Sequence, residues 1–166
     1  MSTWVPTRTL TSACSGRHFA LLGAAAEAGG LMFREEIEPQ CVKYLLEQCP
    51  DFNPYWQRHR QWWGDEPAGL MIDLGLFGEY AADDIERNDG RELQTIAEAA
   101  DRLVRWPDED VQMAATVGFL EGLTNRCLGD PERFPFQRLA PLLSPDVIAV
   151  CRDLDDSWGT QTPGVS

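Results

Sequence analysis

An all-α fold, a single compact domain of about six antiparallel helices in helical-bundle or short HEAT-like packing, follows from three features of this sequence. From Met32 onward apolar residues recur every three or four positions. No stretch alternates apolar and polar residues long enough to make a useful strand, and Pro, Gly and Asx turns separate the periodic segments. At 166 residues the chain suits one domain with a real core. The expected division is a weakly structured N-terminal extension over 1–31, a helical domain over 32–158 and a loose tail over 159–166.

The extension carries Arg8, Arg17 and one acid, Glu27, so the acidity of the chain belongs to residues 32–166. Residues 19–28 read as a short Ala-rich helix stopped by Gly29-Gly30. Glu27 interrupts this segment and no basic lead-in of the usual kind precedes it, which argues against a secretion signal. The abrupt onset of amphipathic helix at Met32 leaves open a native product that begins there.

Phe33, Ile37, Cys41, Tyr44 and Leu45 then form a helical stripe that ends before Pro50. A second helix opens at 51–54 and carries Tyr55, Trp56, His59, Trp62 and Trp63, an aromatic set suited to closing the edge of a small core or to meeting a partner. Over 70–87, Leu70, Leu74, Phe77, Ala81 and Ile85 share one side. Glu79, Asp83 and Glu86 lie almost opposite, with no basic neighbour on their stripe to offset the repulsion of like charges four apart. Asp89 followed by Glu92 resembles a capping box with Asp in place of Ser or Thr, opening a helix with Leu93, Ile96, Ala97, Ala100 and Leu103 on its inner face.

The stretch 111–128 is uncharged at sixteen of eighteen positions, the exceptions being Glu121 and Arg126, so it predicts a helix packed on several sides. Asp108, Glu109 and Asp110 stand at its start, where a carboxylate accepts from unpaired amides. Glu121 and Asn125 on so apolar a helix favour a structural role. Phe134 and Phe136 anchor the turn after it. Ser144-Pro145 then caps a last helix buried through Val147, Ile148, Cys151, Leu154 and Trp158.

With 27 acidic and 14 basic residues the net charge is −13, which argues against nucleic acid and anionic membrane as partners and for a cationic one. Excess acid that merely keeps the protein soluble is the competing explanation. The odd set Cys14, Cys41, Cys49, Cys127 and Cys151 contains no C-x-x-C pair, which fits a reducing cytoplasm rather than a disulfide framework or zinc site. His18 and His59 stand in no known triad arrangement with a Ser or Cys. Glu79, Asp83 and Glu86 supply the best enzymatic alternative, a carboxylate metal site for hydrolysis, yet the Glu-x-x-His motif usual in bundles is absent. No cofactor, metal or catalytic residue is therefore expected.

Three groups of residues carry a family resemblance: 44–52 (YLLEQCPDF), 74–80 (LGLFGEY), and 108–112 (DEDVQ) leading to 118–123 (GFLEGL). Over roughly 32–128 the chain resembles an uncharacterised bacterial all-helical family associated with immunity proteins of polymorphic toxin systems. That resemblance leaves the final helix outside. It implies a non-enzymatic cytoplasmic protein that neutralises a cognate, basic protein toxin by tight binding. Trp62, Trp63, Asp65, Glu66, Glu79, Asp83, Asp84 and Glu86 are the expected partner-binding residues. A helical-repeat adaptor for a peptide or protein partner is the alternative, though no convincing repeat is present.

Overall fold

The structure of the chain, a computed structural model, describes residues 31–64, 66–87 and 91–165, with side chains from Gln40 onward. The expected short helix over 19–28, Asp65 and Asp89 lie outside the described residues. Within them there are only helices and turns: α1 (Leu31–Gln48), α2 (Asn53–Trp63), α3 (Leu70–Arg87), α4 (Leu93–Val104), a central rod made of α5 (Glu109–Ala114), a π-helical segment (Ala115–Glu121) and α6 (Gly122–Gly129), and α7 (Pro145–Trp158). Three 3-10 turns, Pro50–Phe52, Phe136–Arg138 and Ala140–Leu142, complete the path.

Local chemistry sets several boundaries as expected. Asp108 Oδ1 accepts from the amides of Asp110 at 2.9 Å and Val111 at 3.2 Å, which caps the central rod. Ser144 Oγ accepts from Val147 N, with Pro145 at the first helical position. The capping box expected at α4 involves Asp89 and so lies outside the described residues. Within the described residues that helix begins at Leu93, with Glu92 at the N-cap and no side-chain cap hydrogen bond from it.

The core is built on α3 and the central rod. Phe77 is fully buried with ring centroids 5.2 Å from Phe52 and 5.0 Å from Phe119. Edge-on and tilted pairs of this kind add roughly 0.5–1.5 kcal/mol each beyond area burial. Cys41, Cys49, Cys127 and Cys151 are buried, and desolvation pushes each thiol up to about 12, so they act as small hydrophobes.

The direction of the main helix pair differs from the expected antiparallel pattern. Gly75 approaches Gly118, Gly78 approaches Phe119 and Leu123, Asp83 pairs with Arg126 and Glu86 with Arg133. Residue numbers rise together, so α3 and the central rod run parallel, with α4 returning the chain between them. The chain is also carried back before α7: Arg138 donates to the Ile85 carbonyl near the end of α3, whereas Arg105 at the end of α4 binds Asp146 at the start of α7. Pro131, Pro135 and Pro141 keep that return irregular, because none can donate to a continuing helix.

The π segment explains a second departure. Met113 and Leu120, seven residues apart, fall on one face of a regular α-helix, but Met113 is 52% exposed and Leu120 fully buried. One extra residue within the turn rotates everything beyond it. Gly118 lies in this segment, and a Cβ there would collide with the Met71 carbonyl oxygen. The two backbones therefore touch where side chains would separate ordinary helices.

The expected loose tail is tied down. Asp155 accepts from Thr160 Oγ1 at 2.7 Å, Thr162 N at 2.8 Å and Thr162 Oγ1 at 2.8 Å, and Arg152 donates to the Val165 carbonyl. Thr162 and Val165 are buried. Gly159 adopts φ 66°, the left-handed conformation that lets the chain turn back. Trp158, expected in the core, is 64% exposed, while Thr162 of the returning tail is buried and bonded to Asp155 in the last turn of α7.

Candidate functional site

The most distinctive site lies where the end of α2, the start of α3 and the π segment meet. His59 on α2 reaches α3, its Nε2 lying 2.6 Å from Asp73 Oδ1, with Asp73 buried and His59 partly so. A carboxylate only accepts, so Nε2 carries a proton and donates it, and in the neutral form of the ring Nδ1 is then the acceptor. Burial first, then Arg60, lower the His59 pKa against an opposing pull from Glu79. The ring is held between Trp56, at 5.5 Å, and Trp63, at 6.2 Å between centroids.

Beside this pair opens a cleft of about 420 Å3. His59, Ile72 and Leu76 line one part of it, Glu79 and Arg126 another, and the glycines Gly75, Gly118 and Gly122 bare its helical walls. Arg126 is already engaged, donating to Asp83 Oδ1 at 3.1 Å while lying 4.6 Å over the Phe134 ring. Ile72 on its lining is 47% exposed, and three more large apolar side chains of α2 and α3 are exposed, Trp62 by 87%, Trp63 by 37% and Met71 by 46%.

The expected partner-binding residues fall into two groups. Trp62, Trp63, Glu66 and Glu79 are exposed, with Glu79 lining this cleft and the Trp63 ring beside His59. Asp83, Asp84 and Glu86 are not an unopposed acidic stripe. Asp83 also accepts from Tyr55 Oη at 2.7 Å, and Glu86 takes Arg133 at 2.6 Å and 3.1 Å. Asp84 is 2% exposed, with Arg87 at 3.6 Å, and so lies inside rather than on the surface. The missing basic neighbours come from α6 and the turn after it, 43 and 47 residues further along the chain.

Sequence reasoning passed over Asp73. Its signal was nonetheless present, since Asp73, Phe77, Tyr80 and Asp84 recur at helical spacing along the buried side of α3. Glu121 sits half-buried in the π segment and Asn125 is exposed. Among the described residues no group of three His, Cys, Asp or Glu is placed to hold a metal ion, and no helix is long and apolar enough to cross a membrane.

Comparison with known proteins locates the chain without naming an activity. No curated protein and no solved structure matches it. A family model described as a domain of unknown function, DUF7674, matches residues 42–159, a span that takes in α7, which the sequence resemblance had left outside. Most of the helical body is thus a family unit, and the chain belongs to the DUF7674 family of domains of unknown function.

Proposed function

We propose that this protein is a non-catalytic immunity protein that acts in the cytoplasm and neutralises a basic protein toxin by occlusion. The observation that carries the reading is the exposed apolar set Trp62 and Trp63 on α2 and Met71 and Ile72 on α3, the helices that also bear the cleft lined by Ile72 and Glu79. Keeping two tryptophans and two aliphatic side chains in water is unfavourable for an isolated molecule, and aromatic anchors ringed by charge are the usual makings of a binding hot spot. Glu66 and Glu79 beside them, on a chain of net charge −13, would speed encounter with a basic surface and select it. Asp83 and Glu86 contribute to the long-range field but are held within the fold.

The test is capture of the partner by the tagged full chain from the cells that produce it, followed by expression of that partner alone and together with the chain. The expected partner is basic, arrests growth alone and is neutralised by the wild-type chain. Trp62→Ala should weaken the complex by about 2 kcal/mol or more, as for a hot-spot aromatic. Glu66→Lys with Glu79→Lys should slow association and flatten its salt dependence. A partner that is harmless alone would remove the immunity reading.

A further inference from the structure

The cleft beside His59 is more selective than the surface around it. Three features define what it would accept. Glu79 offers a carboxylate, and His59, its Nε2 proton committed to Asp73, offers Nδ1 as a second acceptor. The one cation on the wall, Arg126, is already compensated by Asp83 and seated on Phe134. An anion entering here would meet Glu79 with the Asp73 carboxylate behind His59, and an apolar group would leave both acceptors unsatisfied. A donor-rich cation meets neither objection.

The shape agrees with the charge. Gly75 and Gly118 bring the two backbones together at the floor and Gly122 leaves its stretch of wall bare, so a slender stem can lie along the cleft, while Ile72 and Leu76 give it apolar flanks. Trp63, whose ring stands 6.2 Å from that of His59, supplies an aromatic face beside the site.

We propose that the cleft receives a lysine or arginine side chain of the protein partner, whose charged head donates to Glu79 and to His59 Nδ1 while its methylene stem packs on Ile72 and Leu76. This inference rests on the partner-binding reading above and names the group the partner must present.

It is tested without the partner. The full-length labelled chain is titrated with N-acetyl-L-argininamide and with uncharged N-acetyl-L-citrullinamide, and the His59 imidazole and Trp63 indole signals are followed by NMR. Saturable shifts with the first probe and at least about tenfold weaker binding of the second are expected. Glu79→Gln should weaken the first probe about tenfold, the effect of losing one charge-assisted hydrogen bond. Gly122→Leu keeps helical φ and ψ of −58° and −44° and grows from a Cβ with nothing within 4 Å, so it should fill the cleft and abolish binding in a folded protein. Unmoved His59 and Trp63 signals, equal binding of the two probes, or indifference to Glu79→Gln would each overturn the cation site, even if capture and growth assays uphold the immunity reading. Probe binding by a protein whose partner is harmless would keep the cation site and remove immunity.

Discussion

Two adjoining stretches of α3, residues 71–79 (its near end) and 83–87 (its far end), carry acidic residues that look equivalent in sequence and do different work. At the far end Asp83 is held by Tyr55 and Arg126, Glu86 is gripped by Arg133, and Asp84 is buried. At the near end Glu79 lines a cleft, and Met71 and Ile72 on the same helix are left in water, as are Trp62 and Trp63 at the end of α2. The far end ties α3 to α2, α6 and the turn beyond. The near end has its rigidity supplied from beneath, by His59 on Asp73 and by backbone contact at Gly118, so its outer residues are available to a partner. An acidic stripe is therefore evidence of a binding face only where its partners in the same fold have been accounted for.

That contrast can be broken or sharpened experimentally. The largest expected effect is at the support of the near end: Gly118→Ala forces a methyl into the Met71 carbonyl, which cannot rotate away, and should cost roughly 2–3 kcal/mol in urea unfolding. An unchanged midpoint would mean that the two helices slide apart readily and that the platform is not rigid. Next, Asp73→Ala should cost about 2 kcal/mol by removing a buried acceptor from His59. It should also release the His59 ring, seen as narrowed dispersion of the Trp63 indole signal.

At the far end the cost is smaller, because the groups are partly solvated. Asp83→Ala should lower stability by about 1 kcal/mol, and a double-mutant cycle with Arg126→Ala should return a coupling of about 0.5 kcal/mol. The Glu86 carboxyl lies below its ordinary value of 4.5, chiefly through its hydrogen bond from Arg133, with desolvation opposing it and the charges of Arg133, Arg126 and Arg87 adding to it. Its folded value is depressed, so its contribution is present above pH 4.5 and is lost as pH falls through the folded value. Carboxyl NMR should find Glu86 titrating low in the wild type and nearer its ordinary value in Arg133→Ala. The smallest effect on stability is expected for Glu66→Lys with Glu79→Lys, within about 0.5 kcal/mol, since both are exposed. A large loss there would show that the near end is used internally after all.

Much of the fold was legible from local chemistry. The rod over 111–128, the caps at Asp108 and Ser144, and the buried Cys41, Cys127 and Cys151 all depend on spacing within one helix or on one side chain reaching its own backbone. Of the site, the exposed Trp62, Trp63, Glu66 and Glu79 could be named in advance, but not what distinguishes them from Asp83, Asp84 and Glu86. That distinction depends on residues 28 to 47 positions away. Trp158 and the tail at Thr162 and Val165 were misjudged for a related reason: periodicity says which side of a helix is apolar, not what returns to cover it.

The sequence by itself thus determined that the chain is helical, where most helices begin and end, that it is strongly acidic and that one segment is unusually aromatic. Helical periodicity, capping and charge are properties of neighbours within a few residues. Only the tertiary structure decided that α3 lies parallel to the central rod, that a π turn brings Gly118 against Met71, that Asp73 holds His59, and which acids remain open. Those outcomes depend on the rotation and register of one helix against another. The whole core selects that arrangement at once, and no local run of residues encodes it.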